Sequence, residues 1–190
     1  MIKMAVRILC DSSADFSIDE IKAMDLLYAP LPVLFGEDSY IEGDNITKDE
    51  FYEKLLTNPN FPTTSQPSPT CFLEQFKIAK SSGDEVVAIL ITEGLSGTIQ
   101  NAHLAKNMCD YDNIHIVDGL NIAAALRILI EHAVKLRDEG KTAKEIVDSL
   151  MDLRERTHVY AALDTLENLY RGGRLTKAAA GIGEFANLKP

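Results

Sequence analysis

Short apolar runs recur at residues 6–10, 27–34, 86–91, 114–117 and 159–163, and helical patterns fill most of the intervals between them. Runs this short and this continuously apolar suit strands covered on both faces. Strands that alternate with helices are the pattern of a mostly parallel sheet flanked by helices on both faces, so the expected fold class is α/β. Local signals support the helices. Ser17 with Glu20, and Thr47 with Glu50, have capping-box spacing, in which the hydroxyl caps an amide and the carboxylate reaches back. Ser68 or Thr70 can open a helix running through Ala79. Residues 123–136 are apolar on nearly every face and read as a buried helix, whereas 142–156 is amphipathic. Residues 59–69, P-N-F-P-T-T-S-Q-P-S-P, hold four prolines in eleven positions, which excludes helix and central strand. That stretch is either a crossing between lobes or a stiff surface loop.

Composition narrows the function classes. Nineteen Lys and Arg against 29 Asp and Glu give a net charge of −10, which argues against nucleic-acid binding and against a basic membrane-binding face. The charge is uneven: residues 154–190 carry six cations and four acids, and Arg171, Arg174 and Lys177 could face an anionic ligand or simply solvent. No apolar run reaches the ~18 residues of a membrane helix. Cys10, Cys71 and Cys109 are dispersed and lack metal-ligand spacing, so reduced thiols and a cytoplasmic location are expected.

The stretch V-V-A-I-L-I-T-E-G-L-S-G-T-I-Q-N-A, from Val86 to Ala102, runs from a strand directly into a glycine-bearing turn and a helix. In open α/β sheets, ligands bind at the carboxyl ends of strands, where a helix start offers unpaired amides and partial positive charge. Gly94 and Gly97 permit close approach to the backbone, and Ser96 and Thr98 add hydroxyl donors, so a carboxylate or phosphate would suit the turn. An ordinary N-cap is the plainer reading of either hydroxyl. A hydrolase elbow requires G-x-S-x-G, but Thr98 stands at the second glycine; His103, His115, His132 and His158 are poorly placed as bases. Neither a P-loop nor a G-x-G-x-x-G fingerprint occurs, and no metal-ligand cluster is spaced for use. Asp11 and Ser12, in C-D-S-S at the end of the first strand, fall at the same sheet edge.

Taken together, C-D-S-S-A-D-F at 10–16, L-P-V near 32, T-S-Q-P-S at 64–68, G-L-S-G-T-I-Q-N-A at 94–102, I-V-D-G at 116–119 and L-D-T-L-E-N-L-Y-R-G-G-R-L at 163–175 resemble the DegV family of bacterial fatty-acid-binding proteins. The motifs occur in family order along the whole chain. The resemblance implies a non-enzymatic carrier that buries the acyl chain of one long-chain fatty acid and holds its carboxylate by the hydroxyls of Thr64 and Ser96. Ser65, Gly94, Gly97, Thr98, Asp11 and Ser12 are implied as supporting positions. The fatty acid is a ligand, with no cofactor or metal implied. The implied partner is a fatty-acid kinase that phosphorylates the presented acid for phospholipid synthesis. About 14 buried methylenes give a gross ~11 kcal/mol before ordering costs, so neutral hydroxyls suffice at the head.

The resemblance also implies an N-terminal lobe over 1–157 and, from 158–190, the beginning of a second, lid-like α+β lobe whose remainder this sequence lacks. A helix over 175–188, with Leu175, Ile182, Phe185 and Leu188, would begin that lobe and leave apolar surface through which copies could self-associate. Family members commonly carry a small residue where this chain has Glu93, which is expected to point outward. Two other readings of the turn stand beside the carrier: a serine esterase or thioesterase using Ser96, and a binder of a small phosphorylated ligand.

Overall fold

The structure is a computed structural model and describes residues 4–175. In chain order its strands are β1 (Val6–Asp11), β2 (Leu27–Ala29), β3 (Val33–Phe35), β4 (Asp38–Tyr40), β5 (Thr63–Thr64), β6 (Glu85–Leu90) and β7 (Ile114–Asp118). The helices are α1 (Ile18–Ala23), α2 (Lys48–Thr57), α3 (Pro69–Ser82), α4 (Thr98–Cys109), α5 (Ala123–Asp138), α6 (Ala143–Glu155) and α7 (Glu167–Arg171). The chain through Leu31, with Gln66–Val159, forms one compact unit; Pro32–Ser65, with the chain from Tyr160, forms another.

The first unit is a parallel sheet in the order β2-β1-β6-β7. Alternation along the strands sorts its side chains onto two faces. Ile8, Cys10, Val87 and Ile89 pack with Leu126, Leu129 and Ile130 of α5 and Ile146 and Leu150 of α6. Leu9, Val86, Ala88 and Leu90 pack with Phe72 and Phe76 of α3 and Ile99, Ala102 and Ala105 of α4. The sheet is therefore covered on both faces, as its continuous apolar strands require. α5 is not buried all round as its sequence suggested. Leu126, Leu129, Ile130 and Ala133 face the sheet, but Ile128 is 50% exposed and Arg127 pairs with Glu131. Scattered exposed apolar residues of this kind hide an amphipathic pattern.

The second unit pairs β4-β3-β5 in an antiparallel sheet. The apolar run at 27–34 thus serves two sheets. Pro30 and Pro32, which lack the N–H a strand interior needs, separate β2 from β3. Phe35 is buried and meets Tyr40 and Phe51 edge-on or tilted, with centroids 6.1 and 5.9 Å away. The strand expected over 159–163 is not formed: no ladder among the described residues includes it, and Tyr160 is 91% exposed. Apolar content alone does not make a strand without a partner edge. The expected helix over 175–188 lies outside the described residues except for Leu175.

The cap signals read at Ser17, Thr47 and Ser68 act as written, and Thr142 adds another. α1, α2 and α6 carry complete capping boxes from Ser17, Thr47 and Thr142, and Ser68 caps α3. The starts of α4 and α5 have no side-chain cap.

Candidate functional site

The uncapped start of α4 lies beyond the carboxyl end of β6. The Thr92 carbonyl accepts the amides of Leu95 at 3.1 Å and Ser96 at 3.3 Å, which curls residues 92–96 into a turn. Gly97 then occupies the N-cap position and has no side chain with which to serve its own helix. The Ser96 hydroxyl stands one residue too early to cap in the usual way. It meets the Thr98 hydroxyl at 2.8 Å instead. Ser96 is half-buried and Thr98 fully buried. A helix start whose first amides receive no side-chain oxygen, with two linked hydroxyls beside it, favours an anionic guest.

Asp11 locks the edge beneath this turn. It is 1% exposed and accepts the Ile91 amide at 2.8 Å and the Ser13 amide at 2.9 Å, as well as the Ser13 hydroxyl. The ends of β1 and β6 are thereby joined. Burial raises the Asp11 carboxyl above its ordinary range, opposed by those hydrogen bonds, which favour the charged form. Ser12 is committed elsewhere: its hydroxyl accepts the Leu31 amide at 2.9 Å. Asp11 and Ser12 therefore shape loops at this edge through bonds within the protein.

The Q-P-S end of T-S-Q-P-S meets L-S-G-T-I-Q-N inside the first unit. Asn101 donates to the Pro67 carbonyl at 2.9 Å, and Gln66 lies so close to Gly97 that a Cβ there would come within 3.2 Å of its Nε2. Gly97 thus gives Gln66 room to lie close, and its φ of −75° makes no further demand for glycine. Gly94 is exposed, and a Cβ there would meet only Thr92 Oγ1 at 3.7 Å. Thr64 and Ser65 precede Gln66 in the chain and belong to the second unit. Thr64 pairs with Val33 on β3 and is exposed; the Ser65 amide donates to the Pro32 carbonyl at 3.2 Å.

Glu93 is exposed, as its outward placement requires. The histidines are engaged or exposed: His132 meets Ser149 at 2.8 Å, His115 lies 3.6 Å from Glu85, and His103 and His158 are exposed. Arg171 stacks over Phe61, 4.0 Å from its centroid, and pairs with Glu167. Arg174 donates to the Gly172 carbonyl, and Lys177 lies outside the described residues. Among the described residues no three His, Cys, Asp or Glu side chains group as a metal site, and no helix is long and apolar enough to cross a membrane.

The family model described as "Uncharacterised protein, DegV family" matches residues 5–190. The chain belongs to the DegV family. A DegV domain-containing protein of Caldanaerobacter subterraneus is 36% identical over 185 residues, which are 97% of this chain and 66% of that protein. Among solved structures, the fatty-acid-binding DegV family protein from Thermus thermophilus aligns with a TM-score of 0.85 at 31% identity, over 98% of this chain and 66% of that one. The fat acid (stearic acid)-binding protein from Eubacterium ventriosum aligns at 0.80 and 30%, over 93% and 62%. The chain spans about two thirds of the length of the curated DegV relatives it matches. Gln66 and Asn101 lie inside quoted motifs of this DegV chain but were given no role there, and the loop residue Asn121 was not singled out. An asparagine's burial and partners come from tertiary packing and leave no local pattern.

Proposed function

We propose that this chain binds a long-chain fatty acid, with the carboxylate at the uncapped start of α4 and the acyl chain buried. The observation that supports this most directly is the Ser96–Thr98 hydroxyl pair, 2.8 Å apart, beside a helix start that no side chain caps. A carboxylate there replaces the missing cap and gains the helix's partial charge. Ser96 and Thr64 are the proposed donors to it, and Gly94, Gly97, Thr98, Ser65, Asp11 and Ser12 shape their loops. Two matched relatives named as fatty-acid binders support the ligand class. The proposed role is that of a cytoplasmic carrier that does no chemistry itself. It needs no cofactor and presents the acid to a fatty-acid kinase, and copies self-associate through the C-terminal region.

Calorimetric titration of palmitic acid and hexadecanol tests the head-group reading. A hydrogen bond to a charged group contributes about 1.5–3 kcal/mol, so Ser96→Ala or Thr64→Ala should weaken acid binding by about ten- to a hundredfold. Hexadecanol binding should change much less. The double variant should lose less than the sum, because both donors serve one carboxylate. Equal losses for acid and alcohol would remove both residues from head-group recognition. Sedimentation at micromolar concentration tests self-association, and a monomer there would refute it.

A further inference from the structure

The loop after β7 is held far more firmly than a connection needs to be. Asn121 is 5% exposed. Its Nδ2 donates to the Thr157 carbonyl at 2.9 Å and the Gly119 carbonyl at 3.2 Å. Both partners are acceptors, so only the amide nitrogen can face them, and its two N–H groups are both used. The Asn121 carbonyl in turn accepts the amide of Thr92, the residue around which the Ser96 turn curls, at 3.2 Å. One residue therefore joins the β6–α4 turn, its own loop and the chain just past α6.

Neighbouring contacts reinforce the junction. The Gly119 amide donates to the Leu90 carbonyl at 2.9 Å, and Arg154 of α6 donates to the Asp118 carbonyl at 2.8 Å. A Cβ on Gly119 would collide with Leu126 Cδ1 and crowd the Leu90 carbonyl, so the loop is pressed against α5. Leu120 and Ala123 take φ of 51° and 53°, a left-handed conformation costly for both. Such strain persists only where surrounding contacts over-determine the backbone.

We propose that Asn121 is a positioning residue: it holds the Thr92–Gly97 turn in register with the segment 157–159, where the first unit ends, so that the two are coupled. Through its carbonyl it sets the height of Thr92, and through its amide it sets Thr157. Its effect on ligand is exerted through Ser96, and this part rests on the fatty-acid reading above.

The test measures amide hydrogen exchange without ligand, and binding of palmitic acid and hexadecanol, for the 190-residue chain and for Asn121→Asp and Asn121→Ala. In the aspartate variant a carboxylate of nearly the same shape faces two carbonyl oxygens, so the junction should open. Exchange should quicken about tenfold or more at 92–97 and at 157–159 together. Acid affinity should fall about tenfold and alcohol affinity less than threefold, because the donor geometry is lost while the apolar interior is kept. General loosening would weaken both ligands alike and would overturn the positioning role, as would quickened exchange confined to 118–123. Should these variants fail to fold, Arg154→Gln loosens the same loop from α6 and should quicken exchange at 92–97 as well; exchange there as in the parent chain would count against the proposal. If the parent chain binds neither lipid, the ligand reading fails, and the paired exchange at 92–97 and 157–159 alone decides the coupling.

Discussion

Asp11 shows how one side chain can define a sheet edge. Its carboxylate accepts from Ser13 and, 80 residues on, from the Ile91 amide. Asp11→Asn would aim an amide nitrogen at one of those donors and leave it unpaired, so a loss of about 1–3 kcal/mol is expected in urea unfolding. An unchanged midpoint would mean that the edge is held elsewhere. Leu120 makes the opposite case. Its φ of 51° is natural for glycine, so Leu120→Gly should recover about 1 kcal/mol of backbone strain, offset by lost contacts of a half-exposed side chain. The turn before α4 was legible as a strand-to-helix connection because a glycine-bearing polar segment directly follows a continuous apolar run. Asn121 and Gln66 were not legible, because their roles arise from partners 36 residues away and from a close approach to Gly97.

The helices divide into those that cap themselves and those that do not. At the start of α1, Glu20 accepts from the Ser17 amide and from Arg127 of α5, whose guanidinium also lies over the Phe16 ring. The Arg127 bond, with the cap behind it, lowers the Glu20 carboxyl from 4.5 to about 2. Glu145 is lowered likewise to about 2, chiefly by the Thr142 amide. A depressed folded value means that the unfolded chain takes up protons first. The stability these pairs contribute is therefore complete above about 4.5 and lost as pH falls toward about 2. Asp11, raised by burial, acts in the opposite sense. Thermal unfolding across that range should show a shallower acid decline for Glu20→Gln than for the parent chain. Parallel curves would deny Glu20 a part in it. These caps were readable because a capping box is a local pattern, whereas the missed strand at 159–163 and the exposed face of α5 depend on what lies opposite.

At the scale of the whole chain, the buried apolar residues are unevenly shared. Both sheet-covering clusters belong to the first unit, while Phe35 and Ile46 are the buried apolar residues of the second among those described. Native-state hydrogen exchange should accordingly find β1 and β6 protected to the global limit. The amides of β3 and β4 should open at a cost at least ~2 kcal/mol lower. Equal protection would show one cooperative body. The alternating strand-and-helix order made the strands and helices of the first unit readable; the second is assembled from a segment inserted within the first and from chain that follows it, and had no such rhythm. For anyone wishing to engineer this protein, the bare start of α4 sets a conflict. Writing serine or aspartate at Gly97 is the ordinary recipe for a sturdier helix, yet the new side chain would press on Gln66 and claim the amides to which the proposed carboxylate is assigned. On that proposal, selection for heat resistance alone would favour variants that hold their fold and lose their ligand.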